Sequence, residues 1–162
     1  MKMWNIVLLL ICTLVAQTAN ASPACLGSNG SNLPVMDDQV LAWKSSTPNQ
    51  FLARAHVYGT LTQLYPDRNG HHHFQIQIGL APSQTLEVVY NEDFGTVPDV
   101  RVGDKVEACG DYITSDAATT QYPASPDNAI IHWIHQSPNP AKHPSGFLII
   151  NGVLYGQGQP SH

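Results

Sequence analysis

The sequence predicts a mainly β protein: a small OB-like β-barrel with a short N-terminal helix and a C-terminal hairpin, or alternatively a β-sandwich. Three observations lead to this prediction. Apolar and polar residues alternate with a period of two along several short segments that begin near residue 54. Gly59 lies inside the first of these segments and indicates a bend or bulge, which favours a closed barrel. Near the C-terminus, Asn151-Gly152 separates two apolar runs, a pattern typical of a tight hairpin turn.

The first 21 residues show the order of features that is typical of a secretory signal peptide. Lys2 supplies the positive start, residues 6–16 form an apolar run, and the Ala-Asn-Ala sequence at 19–21 supplies a cleavage site. The apolar run is too short for a comfortable membrane span, which needs about 20 residues. We therefore expect a mature chain that starts at Ser22, has no membrane span, and is periplasmic or secreted.

The mature part has the length of one domain rather than two. We expect an irregular segment at 22–35, a single β-rich domain at 36–156 and a frayed tail at 157–162. Lys2 is the only charged residue before Ser22, so the mature chain has six basic residues against twelve acidic ones. This acidic balance argues against nucleic acid as a main partner, because phosphate backbones are normally bound by basic residues.

Helix and strands can be assigned in order along the domain. Asp37 and Asp38 suit the N-terminus of one short helix within residues 36–51, which Pro48 limits. The Asn-Gly hairpin joins the apolar runs at 147–150 and 153–155. Period-two alternation predicts five strands before it, at 54–62, 73–80, 85–90, 105–112 and 129–134.

Two cysteines remain once the signal peptide is removed, Cys25 and Cys109. In an oxidising compartment the simplest expectation is one disulfide between them. That bond would fasten the N-terminal segment to a later strand. The alternative is a pair of unpaired thiols.

Histidine is the residue type that stands out. On a strand that begins near His72, His71 and His73 share the polar face with Gln75, whereas His72 points to the core side. Exported proteins use histidine as a metal ligand, as an acid or base, or as an ordinary polar surface residue. Seven of the eight histidines fall in four places: His56, the run His71-His72-His73, the pair His132 and His135, and His143.

The spacing of His132 and His135 allows two interpretations. Their β-branched neighbours predict a strand, in which a spacing of three residues puts the two rings on opposite faces. The rings converge only if the chain bends at Ile134 or His135, and the prolines that follow favour such a bend. The alternative is one core histidine bonded to the backbone and one surface histidine.

Three sequence motifs of this chain together resemble the pattern of a known family. They are His132-Trp133-Ile134-His135 followed by Gly146-Phe147, then Gly70-His71-His72-His73-Phe74, and Gly103-Asp104-Lys105-Val106 followed by Gly110 and Tyr112. Over roughly residues 56–155 the sequence resembles DUF3465, a family of small exported bacterial proteins whose function is not established. The chain departs from the family pattern at Ile134, where the family has threonine. The resemblance implies a shared fold and a set of residues, but no reaction.

These observations predict a histidine-based transition-metal site in a small exported binding domain. The expected metal is zinc or copper, both of which imidazole nitrogen binds well. Trp133 is expected to pack beside the site, with Gln75 and Asn91 as nearby acceptors that hold the ligand rings. The expected ligands are His132 and His135 with one or more of His71, His73 and His143.

Two other functions stay open at this point. One is a metal-assisted hydrolase of phosphodiesters or cell-wall polymer, in which His132 or His135 would be a ligand or a base. The other is a metal-free OB-like module that binds an oligosaccharide or a protein partner through aromatic side chains. The sequence contains no serine-hydrolase elbow, phosphate-binding loop or His-Glu-x-x-His motif. It therefore names neither a partner nor an enzymatic reaction.

Overall fold

The computed structural model of the protein describes residues 22–158, and the predicted signal peptide at 1–21 lies outside the described residues. A short 3-10 helix, Glu92–Phe94, follows the third strand. The other elements are, in order, α1 (Asp37–Ser46), β1 (Leu52–Leu64), β2 (His71–Gln77), β3 (Thr85–Asn91), β4 (Lys105–Thr114), β5 (Ala129–His132), β6 (Phe147–Ile150) and β7 (Val153–Tyr155).

Five strands close into a barrel in the order β1-β2-β3-β5-β4, with β4 paired back to β1. All of these pairs are antiparallel except β3 and β5, which run parallel where Val88 pairs with Ile131. β6 and β7 extend the sheet outside the barrel, because the long β4 pairs with β5 near one end and with β6 near the other. The closed barrel confirms the predicted mainly β, OB-like architecture over the β-sandwich alternative.

Alternate residues of the barrel strands point inward and form the core. α1 packs against β1 and β4, buries Val40 completely, and places the Trp43 ring 5.5 Å from the ring of Tyr112. The helix ends at Ser46, because Thr47 precedes a proline and is held in an extended conformation. The largest apolar side chains that are fully buried are Tyr90, Tyr112, Phe74, Phe147, Leu61, Ile76, Leu86, Ile131, Ile134 and Leu148.

The turns and strand ends follow from local backbone requirements. Both residues of the Asn-Gly pairs at 69–70 and 151–152 have positive φ, as a two-residue hairpin turn needs, so the predicted C-terminal hairpin is confirmed. β5 is shorter than the predicted strand at 129–134. It ends at His132 because Trp133 has a φ of 58° and turns the chain out of the sheet.

Cys25 and Cys109 form the predicted disulfide, which links the N-terminal segment to β4. Leu33, Phe147 and Ile149 pack around the bond in a small apolar cluster separate from the barrel core. The N-terminal segment therefore lies against the outside of the sheet where β4 and β6 meet.

Both ends of the described chain are in contact with the barrel or its loops. The amide of Gly158 donates to the carbonyl of Phe94 at 3.0 Å. Residues 159–162, the rest of the predicted tail, lie outside the described residues. Between residues 22 and 158, no helix combines the length and the apolar character that a membrane crossing requires.

The loop between β4 and β5, residues 115–128, reaches across the outer face of β2 and β3, and we call it the strap. Its Asp127 carboxylate accepts hydrogen bonds from the side chains of Tyr65, Gln75 and Thr85 at 2.6–2.8 Å. Asp127 is 3 % exposed, so these bonds are enclosed. The strap therefore covers the part of the outer face that adjoins the histidines of β2.

Candidate functional site

Two of the predicted histidine segments meet on the outer face of the barrel. On β2, Phe74 points into the core, so His71 and His73 face outward. On β5, Ile131 is buried in the core, and His132 faces outward for the same reason. Because only β3 separates β2 from β5, the outward rings of the two strands come within reach of each other.

The rings of His71, His73 and His132 form a close group, which we call the histidine cluster. The centroid of the His71 ring lies 5.6 Å from that of His132 and 6.5 Å from that of His73. This contact between β2 and β5 depends on barrel closure, and no local spacing in the sequence reveals it.

Three of the other histidines have both ring nitrogens occupied. Each of these nitrogens lies within hydrogen-bond distance of a carbonyl or carboxylate oxygen, so neither nitrogen of the ring is open to a metal ion. The three are His56 (Leu33 carbonyl and Glu107), His72 (Asp67 and Glu92) and His143 (Pro144 carbonyl and Asp111).

The histidine cluster has a different hydrogen-bond pattern. His71 donates from Nδ1 to the carbonyl of Asn69 at 2.9 Å, and His73 donates from Nδ1 to Glu87 at 2.7 Å. In the neutral tautomer that these bonds favour, the proton lies on Nδ1 and the lone pair lies on Nε2. Neither ring nitrogen of His132 has a hydrogen-bond partner among residues 22–158.

The environment of His132 keeps its ring neutral. The pKa of His132 is lowered from 6.5 to about 4, chiefly by burial and in addition by the neighbouring imidazoles of His71 and His135. The Asp111 carboxylate, its partner across β4 and β5, acts in the opposite direction and does not outweigh them. At pH 7 the ring of His132 is therefore uncharged, and one of its nitrogens carries a lone pair that no proton occupies.

Trp133 makes the bend at the end of β5, ahead of the positions Ile134 and His135 at which the sequence suggested one. A positive φ is unusual for a bulky residue and needs support from the surrounding structure. Glycines on two other segments provide it. A Cβ atom at Gly110 would overlap the carbonyl oxygen of His132, and a Cβ atom at Gly146 would overlap that of Trp133.

The Trp133 ring lies among the remaining histidines. Its centroid is 5.0 Å from that of His135 and 4.5 Å from that of His143. The indole Nε1 atom is buried and has no hydrogen-bond partner in the part of the chain that the structure describes. Trp133 therefore packs beside the histidine segments, where it presents one unsatisfied donor.

His135 and His143 are held by groups outside the histidine cluster. His135 is 2 % exposed and stacks on Phe94, with the ring centroids 3.5 Å apart. Burial is the main cause that lowers the pKa of His135. His143 donates to Asp111, which also forms an ion pair with Arg54 at 3.1 Å. Of the five predicted ligands, the structure thus brings three together and ties two to other partners.

The predicted supporting acceptors have other contacts. The amide of Gln75 donates to Asp127 at 2.6 Å, which anchors the strap. The side chain of Asn91 accepts from the backbone amide of Asp93 and caps the 3-10 helix. The side-chain acceptor that orients a ring of the histidine cluster is Glu87.

Glu87 is the functional residue that the sequence reasoning missed. It is 2 % exposed, and it lies in the middle of the apolar strand β3. A buried carboxylate is costly unless it is paired and hydrogen-bonded. A single acidic residue within the apolar run at 85–90 therefore indicates, from the sequence alone, a buried carboxylate that needs a polar partner.

The histidine cluster is not a preassembled metal centre. In the described range, 22–158, no three His, Cys, Asp or Glu side chains already have the arrangement that would hold a metal ion. Binding of an ion to His71, His73 and His132 would require their rings to rotate about the side-chain bonds.

Comparison with known proteins gives one family match. The family model described as "Protein of unknown function (DUF3465)" matches residues 30–156. This range contains the whole histidine cluster, the strap and Cys109. No curated protein and no solved structure matches the chain significantly.

Proposed function

The chain belongs to the DUF3465 family, whose function is not established, and we propose that it is an exported binding domain that holds a transition-metal ion at the histidine cluster. The proposed ligands are His71, His73 and His132. This set is narrower than the five histidines expected from the sequence, because His143 uses both ring nitrogens and His135 is enclosed against Phe94.

The observation that carries the proposal is the hydrogen-bond pattern of the cluster. Metal-binding histidines commonly donate their other ring nitrogen to a carboxylate or a carbonyl, which fixes the tautomer and the ring orientation. His71 and His73 each have such an acceptor, Asn69 and Glu87, and neither Nε2 atom has a hydrogen-bond partner among residues 22–158. The neutral ring of His132 also needs no proton removed before it binds a metal at pH 7.

The ring separations are close to what one ion requires. Zinc–nitrogen bonds of about 2.0–2.1 Å place two imidazole centroids on a tetrahedral ion about 5 to 6 Å apart. The His71–His132 separation of 5.6 Å lies within this range, and the His71–His73 separation of 6.5 Å is slightly longer. A small pivot of His73, with its Nδ1 kept on Glu87, would close the difference.

Zinc and copper both suit a set of three imidazoles. Three protein ligands leave the fourth position of a tetrahedral ion open for water or for a further ligand. Because the rings must first rotate, part of the binding energy is spent on ordering them, and the affinity should be lower than at a preassembled site.

Export also forms part of the proposal. Disulfides persist in oxidising compartments and are rare in the cytoplasm. The Cys25–Cys109 bond therefore supports a periplasmic or secreted location, in line with the signal-peptide pattern at 1–21.

Calorimetric titration of the mature chain, residues 22–162, with zinc and with copper tests the proposal. We expect at least one metal to bind with a stoichiometry of one. Replacement of one ligand, as His132→Ala or His71→Ala, should weaken binding by about tenfold or more, equivalent to about 1.4 kcal/mol.

His72→Ala is the matched control. His72 lies in the same run as two proposed ligands, but its nitrogens are held by Asp67 and Glu92. This variant should therefore bind metal as the parent does. The proposal is wrong if the parent binds neither metal below roughly 100 μM, or if His132→Ala binds as tightly as the parent.

A second candidate is the metal-free binding module. The observation that favours it is the half-buried ring of Trp133, whose indole Nε1 atom has no hydrogen-bond partner among residues 22–158. A partly exposed aromatic ring with an unsatisfied donor suits an oligosaccharide. If the protein binds a cell-wall oligosaccharide equally well with and without a chelator, this function is favoured. If it hydrolyses a phosphodiester or cell-wall polymer and a chelator abolishes the reaction, the metal-assisted hydrolase is favoured.

A further inference from the structure

The strap and the histidine cluster share one buried carboxylate. Glu87 accepts from His73 Nδ1 on its Oε1 atom at 2.7 Å and from the hydroxyl of Ser125, a strap residue, on its Oε2 atom at 2.6 Å. The two oxygens therefore hold two different parts of the molecule. The only other charged contact of Glu87 among residues 22–158 is Arg68, at 3.6 Å.

The position of Glu87 depends on both bonds. It is 2 % exposed, and Ser125 is 6 % exposed, so water does not readily replace either partner while the strap is closed. An unsatisfied buried carboxylate oxygen is costly. If the strap moved away, Glu87 would turn toward water and would no longer hold the His73 ring in one orientation.

Further contacts fasten the strap close to Ser125. Asp127 accepts hydrogen bonds from Tyr65, Gln75 and Thr85, and its own amide donates to the Ser125 hydroxyl at 3.1 Å. Tyr65 lies just after β1, Gln75 lies on β2 together with His71 and His73, and Thr85 lies on β3. The strap is thus attached to the outer face of the barrel mainly through side chains rather than through a strand ladder.

We propose that the strap, residues 115–128, sets the metal affinity of the histidine cluster through the Ser125–Glu87–His73 chain of hydrogen bonds. With the strap closed, His73 points its Nε2 atom at the ion. With the strap open, His73 loses that orientation and the ion binds more weakly. Linkage requires the reverse effect as well, so a bound ion holds the strap closed.

This inference rests on the proposed metal-binding function, and it adds that Ser125 and Glu87 are positioning residues. Loss of a group that orients a metal ligand commonly weakens binding by about 10- to 100-fold. We therefore expect Ser125→Ala to bind zinc about tenfold or more weakly than the parent, although Ser125 does not contact the ion. Ser125→Thr, which keeps the hydroxyl, should restore most of the affinity.

Thr119→Ala is the matched control within the strap. Within the described part of the chain, the hydroxyl of Thr119 bonds only to Gln121 and Tyr122, both in the strap itself. This variant should therefore bind zinc as the parent does. Hydrogen exchange should show that zinc slows the amides of residues 115–128 in the parent and in Thr119→Ala, but much less in Ser125→Ala.

Nitrogen-15 NMR of the imidazoles separates this inference from the metal proposal. In the metal-free parent, the Nδ1 signal of His73 should show the hydrogen bond to Glu87, and Ser125→Ala should shift both ring-nitrogen signals of His73 while those of His56 stay unchanged. Unchanged His73 signals in folded Ser125→Ala would overturn the inference, whether or not the parent binds metal. Parent-like zinc affinity in that variant would also overturn it, whereas failure of the parent to bind zinc would remove the proposed function itself.

Discussion

His132 faces outward from β5 but is largely enclosed by its neighbours, and this explains its chemistry. An imidazolium at this position would lose hydration and would lie beside the imidazoles of His71 and His135. The carboxylate that acts on His132 is Asp111, which is already paired with Arg54 and His143. The result is a neutral ring whose nitrogens have no hydrogen-bond partner among residues 22–158, and such a ring can bind a metal ion.

Stability should therefore depend on pH through His132. The folded-state pKa of His132 is about 4, against 6.5 for an ordinary histidine, so between these values the unfolded chain binds a proton that the folded chain does not. Stability then falls as the pH is lowered from 6.5 to 4, by up to about 3 kcal/mol from this group alone. Urea unfolding of the metal-free protein at a series of pH values measures the effect.

The His132→Gln variant isolates this contribution from that of the other titrating groups. Glutamine is polar but does not titrate, so the variant should lose distinctly less stability than the parent over the same pH range. If parent and variant lose the same amount, His132 is not the group whose protonation opposes folding.

At the scale of elements, the bend after β5 is the feature that the sequence described least well. The β-branched residues at 129–134 correctly predicted a strand, but they extended it through Trp133. The bend depends on Gly110 and Gly146, which belong to β4 and to the loop before β6. A window of neighbouring residues cannot contain such contacts, and tertiary packing therefore overrides the local β preference.

Gly146→Ala should distort this bend. The added Cβ would meet the backbone carbonyl oxygens of Trp133 and Cys109, which cannot move aside as a flexible side chain would. We expect a loss of about 3 kcal/mol in unfolding free energy, typical of severe overpacking, and weaker zinc binding because His132 is displaced.

Gly70→Ala provides the comparison for that variant. Gly70 has a φ of 71° but open space around the position of a Cβ, so its substitution costs only the backbone strain, about 1 kcal/mol. Urea unfolding and zinc titration of both variants test the account. A Gly146→Ala protein as stable as Gly70→Ala would show that the close approach does not define the bend.

At the scale of the whole molecule, local patterns in the sequence predict some features of the fold, whereas contacts between distant residues cannot be predicted from them. The strands, the hairpin and the single disulfide follow from alternation, an Asn-Gly pair and a cysteine count, and all three are present. The contact of His71 with His132 and the bond of Ser125 to Glu87 follow from barrel closure and from the path of the strap. Such pairings join residues that are distant in sequence, and no local periodicity encodes them.

The export prediction also concerns the whole molecule. The mature chain should begin at Ser22, because the small residues at 19–21 follow the apolar run at the usual place for cleavage. Intact-mass measurement of protein recovered from a cell envelope fraction or from the medium decides this. A mass that still includes residues 1–21 would show that the segment is not removed.

The most direct test of the central claim is a crystal structure of the mature protein grown with zinc, with diffraction recorded at the zinc absorption edge. We expect one strong anomalous peak about 2.0–2.1 Å from a ring nitrogen of each of His71, His73 and His132. His73 should still donate to Glu87 in that structure. A peak at His135, at His143 or at surface carboxylates alone, or no peak in crystals of protein soaked to saturation, would contradict the claim.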